Sequence, residues 1–481
     1  MAGNSRFRVA RNFVSLSAGQ VALALAGFVS GIYARRVLGA TVIGEVAWTT
    51  SVLSYFSLLI NPGLETIAQR DIAREPGYAN EYVSRMISLR LLLALISFAC
   101  VGILVLFNVR GERISYLLVL QGLGLLIIPL NLGWLLWANE RMGVQALVTT
   151  VFQVLQLLAL FLLVHKPEDV YRYVLYPYPF TLAAAIVLFW CAVRYKMIDW
   201  RRIRLTLQGT GILIRQAIPL GFSSMASLLY FNSDAILLGF MRGDAVVGIY
   251  TTAYRSWIYG TMPFGSLYNS YFPSLARSVN DPPMQRKISS EFYRLFLWFG
   301  LPTAALCWGA GRFFVDLMYG KQFVESGPMF EWLSLNIALS SFSWSIYGPL
   351  NAWGHQKKTF YITLTAALAN LGINFLVIPR YGAMGAVATT LLAESIALIG
   401  AILARRKLCP LPWLTLSLKP LTTAVLIAAS VRWTVVAFPA HWWLALPVCG
   451  IVFITGAWLA EKQLLVRAMH KIFERFRISS A

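Results

Sequence analysis

Long apolar runs separated by short polar breaks cover most of this chain. Each run holds about the 20 residues that a helix needs to cross the hydrocarbon core of a bilayer. The pattern therefore predicts an all-α polytopic integral membrane protein with about 14 transmembrane helices. The predicted spans are 13–34, 43–64, 87–107, 115–138, 144–164, 173–193, 217–240, 247–269, 292–311, 330–352, 359–379, 382–404, 418–438 and 442–460.

A repeated pattern divides these spans into two parallel six-helix halves and two further helices. When RVLGATVIGEVAWTT is aligned with FMRGDAVVGIYTTAY, Gly39 matches Gly243. Later in the same alignment, Gly44 matches Gly248. An even number of spans starts both halves on the same side of the membrane, so the repeat axis lies along the membrane normal. The predicted domains are an N-terminal half at 1–200, a C-terminal half at 201–408, two additional helices at 409–460 and a basic amphipathic cytoplasmic tail at 461–481.

Composition and charge support a membrane protein and give its orientation. Of the 481 residues, 58% are hydrophobic and only 13% are charged. Most Lys and Arg residues behind the net charge of +21 lie in the two tails and in the connections on their side of the membrane. The positive-inside rule therefore predicts that both termini are cytoplasmic. The cysteines and histidines are scattered without metal or redox spacing, so no metal or other cofactor is expected.

Two ionisable residues interrupt neighbouring predicted spans, Asp234 in span 217–240 and Arg255 in span 247–269. A charge inside the membrane is costly, so it faces a partner or a watery cavity and marks a candidate functional site. One interpretation is a buried ion pair that fixes how the two helices pack. The other is a cavity lining that binds an anionic substrate, and the sequence leaves both open.

Three further residues are candidates for substrate binding or ion coupling. Arg35 and Arg36 lie at the end of the first span, where they could bind phosphate or extend to lipid headgroups. Glu394 lies near the middle of span 382–404 and could take up H⁺ or Na⁺, or hydrogen-bond to a neighbouring helix. Arg432 lies outside the two six-helix halves, which favours a structural or lipid-facing role.

Several stretches resemble one family of transporters. They are ARRVLGATVIGEVAWTTSVLSYFSLLINPGLETIAQRDIAR at 34–74, AIPLGFSSMASLLYFNSDAILLG at 217–239, VVGIYTTAYR at 246–255 and GAMGAVATTLLAE at 382–394. In order and spacing they resemble the Wzx-type polysaccharide transporters of the multidrug/oligosaccharidyl-lipid/polysaccharide (MOP) exporter superfamily. Related lipid II flippases carry an Arg-Asp pair where this chain has Ser30 and Gly31, which disfavours a peptidoglycan precursor as the cargo.

The resemblance implies a flippase in the bacterial inner membrane. Its cargo would be an undecaprenyl-pyrophosphate-linked oligosaccharide for O-antigen, capsule or exopolysaccharide synthesis. The implied partners are this glycan, membrane lipids and polysaccharide polymerase machinery, with no nucleic acid. The resemblance leaves the sugar, the polymer and the coupling ion open.

Two other classes of function fit the sequence less well. A small-molecule or cation antiporter of the same fold would favour acidic cavity residues, whereas the intramembrane charges named above include arginines. A membrane glycan polymerase or glycosyltransferase would need a sizeable outer loop, and the predicted outer connections are too short to hold a catalytic domain. We therefore predict a transporter and not an enzyme.

Overall fold

A computed structural model describes residues 2–406 and 408–459 of the chain, with side chains from Leu23 onward except those of Pro263, Ala440 and Trp442. The predicted amphipathic tail at 461–481 lies outside the described residues. The helices are α1 Ala2–Ile60, α2 Leu64–Arg74, α3 Ala79–Leu106, α4 Glu112–Gly122, α5 Gly133–Ala138, α6 Met142–Leu163, α7 Val170–Leu175, α8 Pro177–Arg194, α9 Thr210–Arg242, α10 Asp244–Arg277, α11 Pro282–Tyr319, α12 Ser326–Ala352, α13 Gln356–Arg405, α14 Trp413–Ala437 and α15 Ala445–Leu459.

The helical membrane architecture predicted from the apolar runs is confirmed. In the described part of the chain, eight helical segments are long and apolar enough to cross a membrane. The count of 14 separate helices stays a prediction, because two predicted pairs of spans are joined. In α1 the chain bends at Gly39 (φ 79°, ψ 173°), and in α13 it bends at Gly382 (φ 57°, ψ −139°). Glycine lacks the Cβ that penalises positive φ, so each predicted connection shrinks to a bend between two helical segments.

The predicted span 115–138 is broken near its middle. After α4 the chain forms two short 3₁₀ turns, the second of which contains Pro129, and α5 follows. Proline has no N–H to donate, so it cannot continue an α-helix. The Nη2 group of Arg90 donates to the carbonyl of Ile128 at 2.9 Å and pairs with Glu65 at 3.0 Å. The buried arginine therefore satisfies a backbone group that the break exposes.

The described chain forms two compact units, which meet in sequence between Gly248 and Ile249. The core of the first unit is built from α2, α3 and α5 together with apolar residues near Ile198. In the second unit α14 packs on α11, where Ile427 and Val431 are fully buried. The first of the two additional helices thus belongs to the core of the second unit. The predicted halves at 1–200 and 201–408 stay a prediction.

Candidate functional site

The two glycines matched by the sequence repeat form equivalent bends. Gly39 has φ 79° and ψ 173°, and Gly243 has φ 87° and ψ 175°. Both lie in the region of backbone space that favours glycine, and each separates one long helical segment from the next. The sequence alignment therefore pairs positions that share a backbone conformation.

Just beyond these bends, α1 and the first turn of α10 touch at the other pair of matched glycines. A Cβ on Gly44 would overlap the backbone carbonyl of Asp244, and a Cβ on Gly248 would overlap that of Ala40. The contact is reciprocal. Gly44 faces the carbonyl of Asp244, which lies four residues before Gly248, and Gly248 faces the carbonyl of Ala40, which lies four residues before Gly44. Close backbone approach at small residues is the usual way in which membrane helices pack tightly. We call this contact between Gly44 and Gly248 the glycine crossing.

Two ion pairs surround the glycine crossing. Glu45 pairs with Arg113 at 2.8 Å, and Asp244 pairs with Arg110 at 2.9 Å. The side chain of Arg110 is only 10% exposed, and Glu45 is buried. Charges taken out of water need partners of this kind, because an unpaired buried charge is strongly destabilising.

An aromatic residue completes this cluster. The Trp48 indole N–H donates to the carbonyl of Ile236 at 3.2 Å, and the ring meets Phe240 edge to face at 5.3 Å. The guanidinium of Arg110 lies over the Trp48 ring, 4.7 Å from its centroid, which is cation–π distance. We call Glu45, Trp48, Arg110, Arg113 and Asp244 the charged clasp.

Farther along α1, away from the charged clasp, the first unit contains a cavity of about 810 Å³. It lies among α1, the broken segment after α4, α8 and α9, and its volume is typical of a ligand site. None of the described residues that line it is charged. The lining consists of Thr50, Leu53, Ser54, Ser57, Leu58, Asn61, Gln121, Gly124, Leu125, Ile128, Tyr178, Ser224, Ser227, Leu228 and Phe231.

The first pair of sequence-predicted residues does not line this cavity. Asp234 lies on α9 in the first unit with 1% of its surface exposed, within electrostatic range of Tyr55. Arg255 lies on α10 in the second unit, and its side chain is exposed. Burial of Asp234 agrees with a membrane-embedded carboxylate that has found a partner. Pairing of Asp234 with Arg255 stays a prediction.

The other predicted residues lie elsewhere. Arg35 is buried and its Nη1 group donates to the carbonyl of Gly31 at 3.0 Å, whereas Arg36 is exposed. Glu394 is buried on α13, within electrostatic range of Tyr347. The structure thus separates the predicted site residues into different environments.

In the second unit, Arg432 has a carboxylate partner. Its Nη1 lies 3.0 Å from Oε1 of Glu331, and Nε of Arg312 lies 2.9 Å from Oε2 of the same carboxylate. The three side chains join α14 to α11 and α12. Of the two roles considered for Arg432, this geometry favours the structural one over a purely lipid-facing one.

A comparison with known protein families identifies the family of this chain. Residues 9–279, more than half of the chain, match a family described as polysaccharide biosynthesis protein. The chain belongs to this family. The match includes the charged clasp and the whole lining of the 810 Å³ cavity.

Similar proteins support the same assignment. A protein from Shigella dysenteriae named as an O-antigen transporter is 24% identical over 75% of this chain and 91% of its own length. The capsular polysaccharide biosynthesis protein CapF from Staphylococcus aureus is 21% identical over 66% of this chain and 80% of its own length. Among solved structures, the lipid II flippase MurJ in an inward closed conformation has a TM-score of 0.76 at 14% identity, covering 94% of this chain and 100% of that one. The predicted MOP-exporter fold is therefore confirmed.

For this member of the polysaccharide biosynthesis protein family, sequence reasoning missed the residues that line the cavity. Charged residues are the clearest sign of a site within apolar spans, and the cavity lining is neutral. A signal was nevertheless present, because hydroxyl and amide side chains recur every three or four residues along one predicted span. That spacing places them on one face of a helix. They are Thr50, Ser54, Ser57 and Asn61.

Proposed function

We propose that this protein is a flippase for lipid-linked oligosaccharides, carrying an undecaprenyl-pyrophosphate-linked repeat unit across the inner membrane for O-antigen, capsule or exopolysaccharide synthesis. The observation that carries the proposal is an open, ligand-sized and partly polar cavity among helices that are long and apolar enough to cross a membrane. Membership of the polysaccharide biosynthesis protein family and the names of its relatives support the same function.

The physical task explains why such a cavity is needed. Each polar group left without a hydrogen-bond partner in hydrocarbon costs several kcal/mol, on the order of 2–7. An oligosaccharide carries many hydroxyls, so it does not cross a bilayer unaided. A cavity with polar side chains replaces lost water contacts, while the apolar part of its wall meets the less polar surfaces of the cargo.

The test is reconstitution of the purified full chain in vesicles that contain a fluorescent undecaprenyl-pyrophosphate oligosaccharide. An impermeant reductant added outside, which bleaches the fluorophore irreversibly, should remove nearly all of the fluorescence when the protein is present, and only the outer-leaflet share in empty vesicles. A fluorescent phosphatidylcholine in parallel vesicles controls for general lipid scrambling. Equal bleaching of the glycolipid with and without protein would rule the function out.

Within this function we assign the substrate pyrophosphate to Arg255, with Asp234, Arg35 and Arg36 as further substrate-binding candidates. The exposed side chain of Arg255 supports its assignment, because a guanidinium can bind two phosphate oxygens at once. Arg255→Ala should then abolish flipping while the protein still accumulates. Arg255→Lys should restore only part of the rate, because an ammonium lacks the forked geometry. Wild-type flipping by Arg255→Ala would remove this residue from the site.

We also assign ion coupling to Glu394. A buried carboxylate in a membrane helix is stabilised when it takes up H⁺ or binds Na⁺, and either event could favour one conformation of a transporter. Glu394→Gln should keep substrate binding but lose the dependence of flipping on an imposed pH or Na⁺ gradient. A variant that retains full gradient dependence would show that Glu394 serves helix packing alone.

The positive-inside rule supports an orientation with both termini in the cytoplasm. An impermeant thiol reagent should then label an Arg202→Cys variant, made without the native cysteines, in inverted vesicles but not in intact cells. Labelling in intact cells would reverse the assigned topology.

The multidrug transporters that share the MOP fold suggest antiport as the second function. They resemble this chain in fold alone. An inward-facing MATE family transporter has a TM-score of 0.63 at 16% identity. A cation carrier needs carboxylates at its site, and the described lining of the cavity has none. We therefore favour a glycan cargo over an organic cation.

A further inference from the structure

We propose that the 810 Å³ cavity binds uncharged, hydroxyl-rich sugars of the cargo and disfavours acidic sugars. The inference rests on the proposed flippase function and adds a substrate class to it. Its basis is the hydrogen-bonding state of the side chains that line the cavity.

The polar lining comes from two sides. On α1 the hydroxyls of Thr50, Ser54 and Ser57 follow one helix face, and Asn61 comes directly after the helix. On α9 Ser224 and Ser227 lie three residues apart and so share a face as well. Gln121 and Tyr178 add polar groups from α4 and α8. A sugar ring in this cavity would therefore meet polar atoms from several directions.

Most of the hydroxyl protons in the lining are already used within the protein. Ser54 donates to the carbonyl of Ser51 at 2.6 Å, and Ser57 donates to that of Leu53 at 3.1 Å. On the other side, Ser227 donates to the carbonyl of Ser223 at 3.2 Å.

Two further hydroxyls in the lining behave in the same way. Tyr178 donates to the carbonyl of Gln121 at 2.8 Å. Thr50 lies 2.7 Å from the carbonyl of Val46 and 2.9 Å from Oε1 of Gln121, both of which are acceptors. A hydroxyl whose proton is committed presents only lone pairs to a ligand. Apart from the amide groups of Asn61 and Gln121 and the hydroxyl of Ser224, the cavity offers mainly acceptors.

An acceptor-rich wall selects between types of sugar. A neutral sugar carries many O–H donors, which such a wall satisfies. A carboxylate or phosphate group only accepts hydrogen bonds, so it would face oxygen lone pairs without a compensating cation. The wall therefore penalises the acidic group and favours the hydroxyl that a neutral sugar has in its place.

The charged residues nearest in sequence do not change this picture. Glu45 is paired with Arg113 in the charged clasp, and Glu65, four residues after Asn61, is paired with Arg90 at 3.0 Å. Asp234 follows Phe231 on α9 but is buried and is not part of the lining. Among the described residues, no guanidinium or ammonium lines the cavity to neutralise an acidic sugar.

The test uses two fluorescent undecaprenyl-pyrophosphate oligosaccharides that differ at one position, a hexose in the first and the corresponding hexuronic acid in the second. Both are offered to the full chain in the reconstituted flipping assay. We expect the neutral glycan to flip at least about tenfold faster, the ratio that corresponds to roughly 1.4 kcal/mol. Equal rates, or a faster uronic acid, would overturn the inference while leaving the proposed function intact. If neither glycan moves, the proposed function fails together with the inference.

Two variants locate the selectivity in this cavity. Ser57→Lys places a cation in the wall and should reverse the preference, so that the uronic acid glycan flips faster. The double variant Ser54→Ala/Ser57→Ala removes two acceptors and should slow the neutral glycan at least about fivefold. Ser51→Ala is the matched control, because Ser51 donates within the same helix but does not line the cavity. If Ser57→Lys fails to accumulate, the double variant still provides a test. If it flips the neutral glycan as fast as the Ser51→Ala control does, the assignment of sugar binding to this cavity is refuted.

Discussion

The segment of α1 that follows the bend at Gly39, residues 40–60, has charged side chains at one end and uncharged polar side chains at the other. Near the bend at Gly39, this segment carries Glu45 and Trp48, which enter the charged clasp. At the far end it carries Ser54 and Ser57, which line a neutral cavity. The same helix therefore holds ion pairs at one end and only uncharged polar groups at the other.

The contrast separates packing from ligand binding. Buried charges stabilise a structure only when each has a partner, and removing one partner costs roughly 3–5 kcal/mol. Charges are therefore suited to hold helices in one arrangement. The serine hydroxyls that α1 contributes to the cavity wall add little to packing, because each is already satisfied by its own helix. Their placement is better explained by a ligand.

The largest effect is expected at the glycine crossing. Gly44→Ala should destabilise the protein by about 3 kcal/mol or more, because the new methyl group would overlap a backbone carbonyl that cannot rotate away. The measurement is the thermal unfolding midpoint in detergent, together with accumulation in the membrane.

Gly27→Ala is the control for this substitution, since a Cβ there meets no atom within 4 Å. Both variants gain the same helix propensity, so any difference between them reports the close contact. If Gly44→Ala is as stable as Gly27→Ala, the helices do not pack closely at the glycine crossing, and the contrast between the two ends of this segment is refuted.

The sequence predicted the helices well because apolar runs of this length have few alternatives in a membrane. It also predicted the equivalence of Gly39 and Gly243, since a positive φ restricts both positions to the same residue type. It did not predict that the spans on either side of Gly39 or Gly382 form one bent element, because a bend at a single glycine and a short loop look alike in sequence.

The candidate site was harder to predict than the fold. Charges stand out in an apolar sequence, and Asp234 is indeed buried. Serine in a membrane helix does not stand out, because its hydroxyl can satisfy itself on the preceding turn. The charged clasp was missed for another reason. Arg110 and Arg113 lie in and just after a short connection, and only the three-dimensional structure brings them to Asp244 and Glu45.

An intermediate effect is expected when the charged clasp loses one charge. Asp244→Asn leaves Arg110 without its carboxylate in a site where only 10% of that side chain is exposed. The cost should be about 2–3 kcal/mol, below the figure for a fully buried pair, because Asp244 is 22% exposed and Trp48 still faces the cation.

The double variant Arg110→Asp/Asp244→Arg tests the geometry of the charged clasp. It should recover only part of the lost stability, since the Trp48 ring favours a cation on the side where Arg110 now lies. Thermal unfolding of the three proteins in one detergent gives the comparison. An Asp244→Asn protein with an unchanged unfolding midpoint would mean that the ion pair is incidental.

The smallest effect on stability is expected at the other end of the same helix. Ser57→Ala should change the free energy of unfolding by less than about 0.5 kcal/mol, because the lost hydrogen bond goes to a carbonyl of its own helix and alanine is the better helix former. Neutral-glycan flipping should nevertheless slow in the same preparation, since one acceptor of the cavity wall is gone. Stability and transport would then separate at Ser57, whereas at Asp244 they should fall together. A Ser57→Ala protein that unfolds as easily as Asp244→Asn would show instead that the Ser57 hydroxyl packs helices, and that both ends of the segment serve the same purpose.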